Sequence, residues 1–291
     1  MEKFILSTDS CCDELKSNLK KNKIKYIAMS YICNEEVYDD NFDSLSEYEN
    51  FYNEMRKGKV FSTTALNHFQ LKEYFEKLLS ENKKDILHIS LSSGLSGTLQ
   101  VTKDVAEETN LDSENKIYVL DSLAATQGQN FLLNYALKLR NEGKSAKESL
   151  EALEDISKKL TVNFFLSDLE ALKRGGRISA AKAAMAKMLQ LKPILGFDAE
   201  GKLDVFEKVL GAKKAIRTLA ETYLQNVDEK YDMPIFIAFS GDPTNANELR
   251  TILEEKTGKK DIVIKPVGPV ISSHTGPTLT GVIFISKKYR K

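Results

Sequence analysis

Net charge is the first thing this chain lacks. Its 42 lysines and arginines are matched by 42 aspartates and glutamates, so no overall field draws it to nucleic acid or to an anionic membrane. The basic tail Lys287-Lys288-Tyr289-Arg290-Lys291 reads as a solvated end. No run of about 18 apolar residues is present to span a bilayer. At the start, Phe4-Ile5-Leu6 is too short for the apolar region of a signal peptide, and Asp9 follows soon after. The three cysteines, Cys11, Cys12 and Cys33, are odd in number and lack the paired spacing of zinc ligands or of a redox CxxC. The expectation is a reduced, cytoplasmic protein in which Cys11 and Cys12 pack at a helix start.

The standard catalytic and nucleotide signatures are missing too. His68, His88 and His274 stand far apart, with no HExxH, so no metal site is expected. Neither GxGxxG nor GxxxxGK followed by Ser or Thr occurs, which removes the recognised NAD and ATP loops. Gly94-Leu95-Ser96 continues as Gly97-Thr98, so a GxSxG elbow is absent. Without a nucleophile, base and orienting group in sight, no catalytic residue is assigned and no cofactor is expected. There is also no internal repeat, low-complexity segment or long linker.

What is present is an alternation of short apolar runs with amphipathic stretches, the pattern of an α/β fold. Lys3 to Ser7, Lys25 to Tyr31, Asp85 to Ser90 and Lys116 to Leu120 read as strands. Leu15 to Lys21, Ser44 to Lys57, Leu71 to Glu81, Val101 to Thr109, Gln127 to Glu142 and Ser145 to Lys159 read as helices. A second set of strands follows at Asn163 to Leu166, Pro193 to Phe197, Leu203 to Val209, Ile235 to Ser240, Ile262 to Pro266 and Thr280 to Ser286, with helices at Ala180 to Leu191, Ala212 to Leu224 and Ala246 to Thr257. The length suits two domains, and the boundary is expected near Lys159, giving domains of 1–159 and 160–291. Closely spaced strands around Gly201 favour a mixed sheet in the second.

Three hydroxyl-rich segments stand out. Asp85-Ile86-Leu87-His88-Ile89 empties into Ser90-Leu91-Ser92-Ser93-Gly94-Leu95-Ser96-Gly97-Thr98, ahead of a helical run. Glycines let a backbone approach a ligand, hydroxyls donate hydrogen bonds, and the free N–H groups opening a helix favour an anion. Helix capping and turn formation by Ser92, Ser93 and Ser96 are the competing explanation. Ser62-Thr63-Thr64 follows Val60-Phe61, and Val267-Gly268-Pro269-Val270-Ile271, read as an apolar strand, leads into a polar turn at Ser272-Ser273-His274-Thr275-Gly276-Pro277. The three could converge on one anion site.

The order of these motifs resembles the DegV family. The resemblance rests on Ser7-Thr8-Asp9-Ser10, the SSGLSGT loop, Val119-Leu120-Asp121-Ser122, LEALKRGGRI at Leu169 to Ile178, Leu191-Lys192-Pro193-Ile194-Leu195, and His274-Thr275-Gly276-Pro277, and it covers nearly the whole chain. It implies a two-domain α/β fold, an N-terminal α/β sandwich plus a C-terminal mixed-sheet α/β domain, with one long-chain fatty acid bound between them. It also implies a carrier that presents the bound acid to a separate fatty acid kinase subunit, which makes acyl phosphate. On this resemblance the carboxylate is held by loop residues at Ser62, Thr63, Ser93, Gly94, Ser96 and His274. The family continues its Thr-Ser pair with Gln-Pro, whereas this chain reads Ser62-Thr63-Thr64-Ala65, which leaves open whether Ser62 or Thr63 touches the ligand.

Physical chemistry agrees with such a ligand. About 15 methylenes at ~0.8 kcal/mol each amount to roughly 12 kcal/mol of gross transfer energy, much of it offset by association and ordering. Neutral donors suit a carboxylate that must later be released, since a buried arginine pair would hold it as a bidentate ion pair. Ala183, Ala184, Met185, Met188, Leu189 and Leu191 could line a tail tunnel or pack an ordinary core. Arg177, in the basic turn Lys173-Arg174-Gly175-Gly176, is a candidate for phosphotransfer or partner docking. Asp9 and Asp121 are read as caps or loop organisers. The alternative function is a small phosphotransferase or hydrolase using Ser93 and His274.

Overall fold

A computed structural model describes residues 2–178 and 191–290. Thirteen strands are described: β1 (Ile5–Asp9), β2 (Ile24–Ile27), β3 (Ser30–Cys33), β4 (Glu36–Asp39), β5 (Ser62–Thr64), β6 (Ile86–Ser90), β7 (Ile117–Asp121), β8 (Leu160–Leu166), β9 (Leu191–Phe197), β10 (Leu203–Leu210), β11 (Ile235–Phe239), β12 (Ile262–Pro266) and β13 (Leu279–Ile285). The described helices are α1 (Lys16–Lys21), α2 (Leu45–Arg56), α3 (His68–Asn82), α4 (Thr98–Asp112), α5 (Gln127–Asn141), α6 (Ala146–Lys159), α7 (Glu170–Gly175), α8 (Gly211–Asn226), α9 (Thr244–Thr257) and α10 (Pro269–Thr275). They build three sheets in the orders β2-β1-β6-β7, β4-β3-β5 and β10-β9-β8-β13-β11-β12.

The first sheet is parallel throughout. Its two middle strands, β1 and β6, are buried along their whole length, as parallel strands covered on both faces must be, and each opens on apolar residues and ends on buried polar ones, Ser7-Thr8-Asp9 and Ser90. Two of its helices begin at reciprocal side-chain caps: Asn67 opens α3 and Ser145 opens α6, each paired with a residue at the third helical position, Gln70 or Glu148.

The large sheet is mixed, with β11 and β12 parallel and the other pairs antiparallel. Period-two alternation divides its residues between two cores. Phe165, Val282 and Phe284 pack beneath α8 and α9 with Leu219 and Leu249. On the opposite face Val162, Phe164, Leu279 and Ile283 join a cluster that also contains Phe4, Leu91 and Phe131 of the first sheet and its helices. Phe131 meets Phe236 edge-on with ring centroids 5.3 Å apart, so α5 is wedged between the two sheets.

Four local expectations are corrected. Lys25 to Tyr31 is not one strand: β2 joins the parallel sheet and β3 joins the small one, with Met29 between them held by its N–H to Ser10 Oγ at 3.0 Å. Ser62-Thr63-Thr64 is not a loop but β5, in which Thr63 pairs with Tyr31. The β-branched Thr63 and Thr64 are at ease on a pleated surface, and that local preference prevails over the turn reading of hydroxyls. Val267 to Ile271 is not a strand leading into a turn. Pro269 takes the first position of α10, where its fixed φ suits the helix and its missing N–H costs nothing. The basic turn also tightens into helix: Lys173 and Arg174 lie in α7, which Gly176 ends at φ +73°, a left-handed conformation natural to glycine. The helix expected at Ala180 to Leu191, with Ala183, Ala184, Met185, Met188 and Leu189, lies outside the described residues, apart from Leu191, which opens β9.

Candidate functional site

Open parallel sheets place ligands beyond the carboxyl ends of their strands, where connections diverge to opposite sides. That point here is between β1 and β6, and a buried carboxylate fills it. Asp9 accepts the N–H groups of Leu91 at 2.7 Å and Cys11 at 3.1 Å and the side-chain amide of Gln129 at 3.0 Å. Burial raises the Asp9 pKa, while these donors oppose the rise. Asp9 therefore serves as the organiser of the loop after β6.

That loop divides its serines among different tasks. Ser92 is fully buried and donates to the Gly201 carbonyl at 2.8 Å, which ties the first sheet's loop to the turn between β9 and β10. Gly94 is required by the same approach, because a Cβ there would lie 2.3 Å from the Gly201 oxygen. Ser93 is exposed and donates to Asp121 Oδ2 at 2.6 Å. Ser96 accepts the Thr98 N–H at 3.2 Å at the start of α4, lies 3.0 Å from the Thr98 hydroxyl, and faces a cavity.

The cavity measures about 220 Å³, far beyond the roughly 10–15 Å³ needed by one water. Its polar lining includes Thr63 from β5, Ser96, Thr126, Arg177 and His274. Its apolar wall comes mainly from the large sheet, through Val162, Phe164, Phe197, Leu203, Leu279 and Ile283. The floor is set by two small residues. Phe164, Gly281 and Ala238 are neighbours across β8, β13 and β11, so Gly281 and Ala238 leave a trough beside the phenyl ring. A Cβ on Gly281 would lie 2.8 Å from Phe164 Cβ.

Thr63 Oγ1 and His274 Nε2 lie 2.8 Å apart, linking β5 to α10. His274 Nδ1 is buried and has no partner among the described residues. Gly175 permits this packing, since a Cβ there would come within 2.9 Å of Nδ1. Burial, followed by the nearby Arg177 charge, lowers the His274 pKa to about 4, so the imidazole is neutral at ordinary pH. Arg177 is exposed and donates to the Gly175 carbonyl at 2.7 Å. The arrangement combines hydroxyl and imidazole hydrogen bonding and one guanidinium with an apolar chamber, suited to a molecule with an anionic head and a hydrocarbon body.

A model described as "uncharacterised protein, DegV family" matches residues 3–287. The chain belongs to the DegV family. Among its relatives is the DegV domain-containing protein YteA of Lactococcus lactis, 36% identical over 290 residues, covering 99% of each chain. A fatty-acid-binding DegV family protein of Thermus thermophilus superposes with a TM-score of 0.84 at 26% identity, covering 98% of this chain and 100% of that one. DegV of Bacillus subtilis, a fatty acid binding protein, gives 0.80 at 27% identity and covers 99% and 100%.

Of the residues singled out from sequence, Thr63, Ser96, Arg177 and His274 border the cavity; Ser62, Ser93 and Gly94 are not among its lining residues. Ser93 is paired with Asp121 and His274 with Thr63, so the serine and histidine are not hydrogen-bonded to one another. Sequence reading missed Thr126 and Met29, which also border the cavity. Thr126 adopts φ +52°, an outlier for a β-branched residue that costs on the order of 1–3 kcal/mol. No residue pattern announces that strain. No group of three or more His, Cys, Asp or Glu residues able to hold a metal occurs among the described residues.

Proposed function

We propose that this chain binds one long-chain fatty acid between domains of 1–159 and 160–291, and presents its carboxylate to a separate fatty acid kinase. The tail lies in the trough over Gly281 and Ala238, and the carboxylate meets Thr63, Ser96 and His274, with Arg177 at the same end. Ser62, Ser93 and Gly94 frame this end through β5 and the loop after β6. The reading is carried by one observation: the hydrogen-bonded Thr63–His274 pair lines the same cavity as the apolar side chains of the large sheet. The fatty acids named for the Thermus thermophilus and Bacillus subtilis proteins support the ligand class.

The neutral clamp has a mechanistic consequence. A hydroxyl and an uncharged imidazole orient a carboxylate without neutralising it, leaving an oxygen nucleophilic toward a phosphoryl group brought by the partner. Arg177 is the charged group at that end, and we assign it to the phosphorylated product or to docking of the kinase. The working compartment in this reading is the cytoplasm, and among the described residues no helix is long and apolar enough to cross a membrane.

Solvent extraction of the purified protein followed by mass spectrometry tests the ligand: one equivalent of a fatty acid is expected, and protein that neither retains nor takes up fatty acid overturns the proposal. Lipid-loaded protein with ATP and magnesium should form no acyl phosphate until a kinase subunit is added. Formation by kinase-free protein would replace the carrier with an enzyme.

A further inference from the structure

A second concavity, of about 650 Å³, lies at the opposite end of the parallel sheet. It is bordered by Glu2, Phe4 and Ile5, ahead of and at the start of β1, whereas Asp9 and the lipid cavity lie at its finish. Five residues of strand, at about 3.3 Å each, set the two sites roughly 16 Å apart. The groove has a different chemistry from the cavity. Lys16 and Lys20 come from α1, Lys23 and Lys25 from the start of β2, Lys77 from α3 and Lys84 from the turn before β6, with Arg140 from the end of α5. Only Glu2 and Glu81 oppose these seven cations among its lining residues, an excess of five positive charges in a chain whose total charge is zero.

Part of this excess has a structural reason. In a parallel α/β sheet the helices return to the amino ends of the strands, so α1, α3 and α5 all finish on this side, and each helix end carries about half a negative charge. Three such ends account for about 1.5 of the five charges. The remaining surplus of about 3.5 has no partner on the groove walls.

Arg140 supplies an independent indication. Its side chain is only 2% exposed, and it donates to the Asn22 carbonyl at 2.7 Å and the Lys23 carbonyl at 3.2 Å. Its Nε has no hydrogen-bond partner among the described residues, and Glu2, which pairs with Lys23 at 3.4 Å, stands 4.0 Å away. A guanidinium fixed by two backbone carbonyls adds a positive charge that cannot swing away to a groove lined by lysines from four other segments, which suits concentrated negative charge.

We propose that this groove binds a compact anion carrying two or more phosphate groups. Lysines on separate elements can each meet a different phosphate, and the concave shape favours a small multivalent ligand over an extended rod. The phosphates belong to a free molecule or to a lipid headgroup.

Sodium tripolyphosphate titrated into the full chain by calorimetry at low ionic strength is the test. One saturable site is expected, weakening as salt rises. Lys20→Gln with Lys77→Gln should weaken it at least tenfold and leave fatty acid affinity unchanged. Lys208→Gln with Lys256→Gln, which removes the same charge elsewhere, should have no effect. Absence of a saturable site, or equal weakening by both pairs, overturns the proposal. Vesicles bearing anionic phosphate headgroups form the second arm. Competition between them and tripolyphosphate supports the groove and identifies a headgroup as a source, saturable tripolyphosphate binding without vesicle binding supports a free ligand, and vesicle binding without tripolyphosphate binding overturns the compact site.

Discussion

The two ends of one four-stranded sheet differ more than the two sheets do. At the carboxyl ends of β1, β6 and β7 the chain places loops rich in hydroxyls and glycine, the opening of α4 and a buried organising carboxylate, and these border an apolar chamber. At the amino ends it places helix termini and lysines around an open basic groove. The difference follows from parallel topology: every strand runs the same way, so loops with free N–H groups collect on one side and helix carboxyl ends on the other. An apolar chamber with a hydroxyl-bearing lining and a lysine-lined groove can therefore share a sheet without sharing residues.

The sharpest way to break that comparison is to fill the lipid trough. Ala238→Phe places a ring beside Gly281 and should reduce fatty acid affinity at least a hundredfold, while tripolyphosphate binding at the other end stays unchanged; overpacking should cost about 1–3 kcal/mol of stability. Fluorescent fatty acid displacement and a denaturant titration measure the two effects. Retained lipid affinity would move the tail out of this trough.

Thr63→Val comes next, because it keeps the side chain's shape and removes the hydroxyl shared with His274. Losing a hydrogen bond to a carboxylate should cost about 1.5–3 kcal/mol, roughly 10- to 100-fold in affinity. Ser96→Ala should weaken binding about fivefold, near 1 kcal/mol. Ser93→Ala should weaken it less, since its hydroxyl is engaged by Asp121 at 2.6 Å. An effect of Ser93→Ala larger than that of Ser96→Ala would reverse the assignment of the two serines.

The smallest expected effect is in pH dependence. His274 is depressed from 6.5 to about 4 in the folded lipid-free chain, first by burial and then by Arg177, so the unfolded chain binds its proton more readily. The associated stability is fully present above about pH 6.5 and declines as pH falls toward 4. His274→Gln should remove this component, so that the stability difference between the two proteins changes over that window and is constant above it. Arg177→Gln should raise the imidazole midpoint, read by NMR, because a neighbouring positive charge is lost. An unchanged midpoint would place the guanidinium too far away to act on His274.

Much of the fold was legible because its signals are local. The strands expected at Lys3 to Ser7 and Asp85 to Ser90 overlap β1 and β6, and the helix expected from Ser145 to Lys159 is α6 with Ser145 as its cap. Thr63 and His274 were legible as polar groups in suggestive surroundings, but not as a hydrogen-bonded pair separated by 211 residues. The short strands β3, β4 and β5 escaped because Ser30–Cys33 continues the composition of the strand before it, and hydroxyls at 62–64 suit a turn as well as an edge strand. The start of α10 escaped because Val267, Val270 and Ile271 have the composition of a strand, and the helix depends on Pro269 taking its first turn.

By itself, the sequence determined the α/β alternation, the absence of recognised nucleotide loops and the stock of hydroxyls, because periodicity and motif spacing are properties of neighbouring residues. Only the tertiary structure decided which hydroxyl faces the chamber, which serine fastens the β9–β10 turn, and where Gly281 and Ala238 lie side by side. It also decided that lysines scattered from Lys16 to Lys84 line one groove with Arg140. Those outcomes depend on strand register and on contacts between segments distant along the chain, which local pattern does not encode.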